Sequence, residues 1–198
     1  MGATAATPIL IELDPEFWKG QLDRVEGWLG NVVLTQSAFR ELAEDVRDKL
    51  PQPQFHHFLE GIAEDARRHE EQIAGFYRMI GRDPAARGRA TLGTVVAKGR
   101  EILADIEGFA GGASGPWRDL RQLYQASLSA TAAFGVVEQL GYALGHKEMA
   151  ELAFEIVNAK HRRHLQLQEM VLEMAAVAIL YDEPTDALFG PSTPPDPA

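Results

Sequence analysis

Cysteine is absent from this chain of 198 residues. That excludes disulfides, zinc fingers, iron–sulfur clusters and thiol nucleophiles, and leaves side-chain oxygen and imidazole for any metal. Long apolar runs are also absent. Nothing approaches the roughly 18 residues of a membrane span. The opening Met1-Gly2-Ala3-Thr4-Ala5-Ala6-Thr7 has no basic region before Ile9-Leu10-Ile11, and Ala6 stands where a myristoylation signal needs Ser or Thr. A cytoplasmic location with no membrane partner is expected. Basic residues are in the minority, 19 Lys and Arg against 29 Asp and Glu, for a net charge of -10. With no basic block, a phosphate backbone is a poor ligand, so no nucleic-acid partner is expected. There is no P-loop and no nucleophile elbow. Gly108, Gly111 and Gly112 lack the preceding strand that a dinucleotide fingerprint requires. No segment alternates apolar and polar residues over a strand length.

What remains is helix, cut cleanly by breakers. Asp14-Pro15 pairs a good N-cap with proline at the first helical position. A long helix then runs to about Leu50 and is stopped by Pro51-Gln52-Pro53. A second runs from about Gln54 to Ile80 and is closed by Gly81. A shorter amphipathic stretch covers Leu92 to Ile106. After Gly111, Gly112 and Gly115 come a third long helix, Pro116 to about Leu144, and a fourth, about Lys147 to Tyr181. The predicted fold is all-α: a ferritin-like antiparallel four-helix bundle with a short extra helix in the long crossover connection. The predicted organisation is an N-terminal extension (1–14), the bundle (15–181) and a Pro-rich flexible tail (182–198) carrying Pro191, Pro194, Pro195 and Pro197.

Inward faces follow from the 100° advance per residue. Helix one points Trp18, Val25, Trp28, Val32, Gln36, Phe39, Ala43, Val46 and Leu50 one way. Helix two gives Phe55, Leu59, Ile62, Ala66, His69, Ile73, Phe76 and Ile80. Helix three gives Trp117, Leu120, Tyr124, Ser127, Leu128, Thr131, Glu138 and Tyr142. Helix four gives Met149, Ala153, Val157, His161, His164, Leu167, Val171, Met174 and Ala178. A single histidine on such a seam is ordinarily a core residue satisfied by a hydrogen bond. Three of them, His69, His161 and His164, raise metal ligation as an expectation, because neutral imidazole suits divalent transition metals. Glu138 is the one acid clearly inside a stripe, and its ordinary partner would be Tyr142 one turn on. Counting back from the joins places Gln36 level with His69, and Thr131 level with His161. Glu138 then lies roughly 10 Å away along the axis, too far to share their metal.

The long–long–short–long–long order and the seam histidines resemble the ferritin-like superfamily, most nearly its YciE/YciF-type stress proteins. The stretches that carry the resemblance are Glu64-Asp65-Ala66-Arg67-Arg68-His69-Glu70-Glu71-Gln72 and Ala143-Leu144-Gly145-His146-Lys147-Glu148-Met149-Ala150-Glu151-Leu152. It covers roughly Phe17 to Tyr181. The resemblance implies a di-iron carboxylate centre with a Glu from each of two helices and Glu-x-x-His from each of the others. Here His69 and His161 match the histidines, but their partners three residues earlier are Ala66 and Asn158. The helix-one carboxylate position falls on Gln36, and that of helix three near Ser127 or Thr131. Gln36, Ala66, Thr131, Glu138 and Asn158 are therefore former ligand or supporting positions. None of the expected carboxylates stands at its place, and without them two metal charges would be largely uncompensated in a low-dielectric core.

Three functions follow as expectations. The first is a ferritin-like bundle without di-iron chemistry, non-catalytic and stress-related or interacting, with no cofactor. The second is a metal-binding bundle or oxidoreductase holding one divalent Fe, Mn or Zn on His69, His161 and His164. The third is a small-molecule-binding bundle with Trp18, Trp28, Phe39, Trp117, Tyr124 and Tyr142 lining a pocket, although aromatics at helical spacing ordinarily fill core. Phe17, Leu29 and Val33 widen the apolar face of helix one, so a homodimer is expected. Ile62, Ile73, Phe76, Val32, Phe39, Val157 and Val171 are expected in one buried core.

Overall fold

The computed structural model describes residues 14–50, 53–84 and 115–180. These form four packed helices: α1 (Pro15–Lys49), α2 (Pro53–Met79), α3 (Pro116–Ala143) and α4 (Lys147–Leu180). There is no strand among the described residues. None of the four helices is long and apolar enough to cross a membrane. The amphipathic stretch Leu92 to Ile106, the N-terminal extension up to residue 13 and the tail 182–198 lie outside the described residues.

Helix ends follow the local chemistry. The Asp14 side chain accepts a hydrogen bond from the Glu16 N–H at 3.2 Å, while Pro15 takes the first position, where no N–H is needed. At the α3–α4 join Gly145 adopts φ of +67°, a left-handed conformation that a side chain would oppose. That lets the His146 N–H return to the Gly141 carbonyl at 2.8 Å and the Gly145 N–H to Tyr142 at 3.0 Å. His146 then ties two elements together. Its Nδ1 accepts from the Met149 N–H at 3.4 Å, so its Nε2 carries the proton donated to the Met79 carbonyl at 3.2 Å.

Contacts between helices occur in ordered sets. Arg47 meets Glu60 at 3.3 Å near the α1–α2 join, Gln36 meets Ala66 further along, and Arg82 meets Asp23 at 2.6 Å at the other end. Gly141 sits against Ala150, Ser127 against His164, and the Trp117 indole N–H donates to the Val171 carbonyl at 2.9 Å. Between α1 and α3, Lys49 meets Asp119 and the Trp28 indole N–H donates to Ala133. Between α2 and α4, Arg163 meets Asp65 and His146 meets Met79.

The core is in two parts. One contains Phe39, Val46, Leu59, Ile62, Leu120, Leu123, Leu167 and Val171. The other contains Val25, Leu29, Val32, Ile73, Phe76, Phe134, Met149, Ile156 and Val157. All seven residues expected in the core are buried, but they divide between these two clusters. Leu29 is fully buried inside this bundle, so it does not widen an outward face as expected from the sequence. Phe17 is exposed and Val33 half-buried.

Candidate functional site

The two apolar clusters are separated by a polar layer, and every helix contributes to it. On α1, Gln36 lies between Val32 of one cluster and Phe39 of the other. On α2, His69 lies between Ala66 and Ile73. On α3, Thr131 lies between Ala130 and Ala133, with Ser127 one turn before it. On α4, Lys160 lies between Val157 and Leu167. All five side chains are buried, and Lys160 is only 5% exposed. A layer like this costs free energy unless its polar groups find partners.

Most do. Gln36 Nε2 donates to the Ala66 carbonyl at 2.8 Å, which fixes the α1–α2 level. Thr131 bonds back to the Ser127 carbonyl at 2.7 Å. Ser127 Oγ lies 2.7 Å from the Tyr124 carbonyl and 2.6 Å from His164 Nδ1, and the His164 ring stacks on Tyr124 at 4.5 Å. The Ser127 hydroxyl proton is shared between these two acceptors when Nδ1 is unprotonated. Within this layer, two buried atoms among the described residues have no hydrogen-bond partner: Gln36 Oε1 and Lys160 Nζ. Lys160 Nζ instead lies over two aromatic faces, 4.5 Å from the Phe39 centroid and 5.4 Å from that of Phe134. These faces attract a cation but offer no lone pair.

Burial pushes the Lys160 ammonium down to about 7, partly opposed by the negative charge of Asp65. Burial pushes His69 down to about 3, helped by the Lys160 charge and opposed by Asp65, so His69 is neutral in the folded protein near neutral pH. Its ring meets Phe134 edge-on at 6.5 Å. Burial would raise Asp65, but hydrogen bonds and charge from Arg163, with further help from Arg68, hold it below the usual carboxylate range. Arg163 Nε donates to Asp65 at 2.8 Å, and Arg68 pairs with the other carboxylate oxygen. Gly61 makes room for this bridge: a Cβ there would lie 2.8 Å from an Arg163 nitrogen.

Beside Lys160 is a small cavity of about 10 Å³, room for roughly one water. Its walls are Phe39, Ile62, Asp65, Ala66, His69, Ser127, Lys160, Arg163 and Leu167. A separate open groove of about 570 Å³ lies between the first half of α1 and the last half of α3, lined by Phe17, Trp18, Val25, Trp28, Val136 and Leu140 among others.

The sequence-based site is thus only partly assembled. His69, Gln36, Ala66 and Thr131 are buried at the polar layer as expected. His161 is exposed and does not face the interior. The reason is rotational. Two successive four-residue steps, Ala153 to Val157 to His161, advance about 40° too far each, whereas the three-residue step from Val157 to Lys160 returns to the seam. Lys160, missed from the sequence because a charged residue is rarely fully buried, occupies that place. His164 is half-buried and engaged with Ser127 and Tyr124. Asn158 and Glu138 are both half-buried. Tyr142 is exposed at 58%, and Leu128 at 54%, so neither belongs to the inward face of α3. Phe134, Leu123 and Val137 are the residues that fill it. The six aromatics expected to line one pocket are dispersed: Trp18 and Trp28 line the groove, Phe39 faces Lys160, and Trp117 is bonded to α4.

A di-iron centre does not fit this donor set. The level holds an amide, a methyl, a hydroxyl and an amine where carboxylates would be needed, so none of the four supplies the negative charge that two metals require. Among the described residues no three His, Asp or Glu side chains gather as a metal-holding group. Comparison with known proteins gives no match to any family model, curated protein or solved structure.

Proposed function

We propose that this chain is a ferritin-like bundle without di-iron chemistry, acting as a non-catalytic, stress-related or interaction protein in the cytoplasm. The ferritin-like part is supported by the order of helix contacts. Pairs between α1 and α2, α3 and α4, α1 and α3, and α2 and α4 each combine early residues of one helix with late residues of the other. That is the pattern of antiparallel neighbours, and it puts the end of α2 and the start of α3 at opposite ends of the bundle. The single observation that carries the loss of metal chemistry is Lys160, a side chain that supplies no negative charge at the level where a metal would need anions. The deciding experiment is anaerobic loading of the purified chain with ferrous iron, followed by oxygen. The expected outcome is no stoichiometric iron and no oxygen uptake. About two irons per chain with oxygen consumption would defeat the reading.

A homodimer belongs to the same proposal. Leu128 on α3 and Phe154, Leu165, Leu172 and Ile179 on α4 are exposed apolar side chains, suited to a second copy. Light scattering at high micromolar concentration is expected to give twice the chain mass, and a monomer there would reject it. The groove beside Trp18 and Trp28 supports a second reading, small-molecule binding, since its volume falls in the range of ligand sites. Tryptophan fluorescence in Trp28→Phe against the parent chain, titrated with apolar dyes, tests it.

A further inference from the structure

We propose that Lys160 is a carbon dioxide site: its Nζ adds to CO2 and becomes a buried carbamate held between α2 and α4. The inference rests on the polar layer itself and stands whether or not the ferritin-like reading does.

Three observations carry it. First, Nζ is a primary amine with no hydrogen-bond partner, on a side chain 5% exposed, at the wall of a cavity. An ammonium there would want three acceptors and finds aromatic faces instead, so the neutral amine with its free lone pair is favoured over what it would be in water. Second, the cavity beside Nζ has room for roughly one water, and its exposed wall surface is mostly apolar. Among electrophiles that react with an amine, uncharged three-atom CO2 needs the least added room, which a shift of the flexible Arg163 end would supply. Third, the charge around the cavity is unbalanced once the amine is neutral. Asp65 faces two guanidinium groups, Arg163 and Arg68. One added anion brings the group to neutrality. Arg163, on the cavity wall and with guanidinium N–H groups beyond the one it gives Asp65, is the donor suited to a carbamate.

There is also a route in. A notch of about 400 Å³ is lined by Asp65, Arg68, Ala159, Arg162, Arg163 and Gln166. Asp65 and Arg163 line both notch and cavity, so their ion pair is the partition between them.

The step balances without another reactant. The amine lone pair forms the C–N bond, one C=O π pair moves onto oxygen, and the N–H proton leaves to water, giving R–NH–COO⁻ and H⁺. Condensation with an aldehyde is less suited, because it must expel water and so needs an acid. His69 is neutral here, and a protonated imine would leave the excess positive charge in place.

The test uses the full chain in ¹³C-labelled bicarbonate and CO2 at about pH 7.5, observed by ¹³C NMR. One protein carbamate resonance is expected. It should vanish in Lys160→Met, persist in Lys147→Met, whose lysine is exposed, and fall several-fold in Arg163→Gln. Alkyl-oxonium trapping followed by peptide mass spectrometry locates the adduct without relying on a variant's folding. Lys160 should carry at least roughly tenfold more adduct than Lys147, whose Nζ is hydrated and paired with Glu151 at 3.4 Å. No resonance, a resonance that survives Lys160→Met, or adducts spread evenly over the lysines overturns the proposal.

Discussion

Between α1 and α2 the contact is laced with charge. Arg40 bridges Glu44 at 3.0 Å and Glu70 at 2.5 Å, Ser37 donates to Glu70 at 2.6 Å, Arg67 reaches Glu44 at 2.8 Å, and Arg47 reaches Glu60. Between α3 and α4 the seam is built from small residues instead. Ala130 and Ala133 on α3 and Ala150 and Ala153 on α4 are all buried. A Cβ on Gly141 would lie 2.7 Å from the Ala150 nitrogen and 3.0 Å from its Cα. The first pair is specified by complementary charge around an apolar stripe. The second is specified by close approach of backbones at Gly141 and Ala150. The difference shows that one bundle can set its register by two independent means.

The largest effect should come from Lys160, the α4 residue buried in the polar layer between the two apolar clusters. A lysine has a pKa of about 10.4 when unfolded and about 7 here. Between those values the unfolded chain binds the proton and the folded chain does not, so stability rises with pH across the window. Below pH 7 both states are protonated and the full penalty stands, on the order of 4 kcal/mol. Above the unfolded value it disappears. Of the groups facing this layer, Asp65 on α2 is held below the usual carboxylate range by its pairs with Arg163 on α4 and Arg68 on α2, and His69 on α2 is neutral across the window. Urea denaturation is expected to show the parent chain gaining about 2 kcal/mol relative to Lys160→Met between pH 7 and 9. Parallel pH profiles of the two proteins would mean that the amine is hydrated and not buried.

Next in size is Gly141→Leu. Its side chain would press on backbone atoms of α4, which cannot give way as a flexible side chain can. A loss of about 3 kcal/mol is expected. Gly61→Ala is the control across the α2–α4 contact, where the opposing atoms belong to the movable end of Arg163, and it should cost far less. Thermal unfolding of both variants compares a seam fixed by backbone with one fixed by a side chain.

How legible these features are in the sequence depends on the same contrast. For α2 every residue of the expected stripe is buried, from Phe55 to Ile80, because polar residues such as Glu64, Arg67, Arg68 and Glu71 mark its outer face. On α3 and α4 apolar residues surround the helix. Leu128, Val136, Tyr142, Phe154, Leu165, Leu172 and Ile179 are exposed, so hydrophobicity does not single out one face. The inward positions there are set by small residues, Ala126, Ala130 and Gly141, whose signal is size and not polarity. The site divides likewise. Gln36, His69 and Thr131 are polar residues in well-marked positions and can be read directly. Lys160 requires knowing that the seam takes a three-residue step after Val157.

The charged network gives a smaller effect. Arg40→Met is expected to cost about 1–2 kcal/mol, since Arg40 serves two carboxylates and both are partly shielded. The loss should shrink as salt is raised, through screening of what the parent network gains. The penalty of Gly141→Leu should not. A salt-independent Arg40 effect would show that its methylene packing, and not its charge, joins α1 to α2.

The smallest effect sharpens the comparison furthest, because it uses one helix and one residue type. Gly135 and Gly141 both lie in α3. A Cβ on Gly135 would meet nothing within 4 Å, whereas one on Gly141 would meet the Ala150 backbone. Alanine at either position gains the same helix propensity and removes the same freedom from the unfolded chain, about 0.5–1 kcal/mol. Only the packing differs. Gly135→Ala should therefore stabilise the fold by about that amount, and Gly141→Ala should destabilise it, with the two shifts in opposite directions in one melting experiment. If both variants gain stability, α3 and α4 are not in backbone contact at the level of Ala150. The small residues of that seam would then reflect helix propensity alone, not the distance at which the two helices are held.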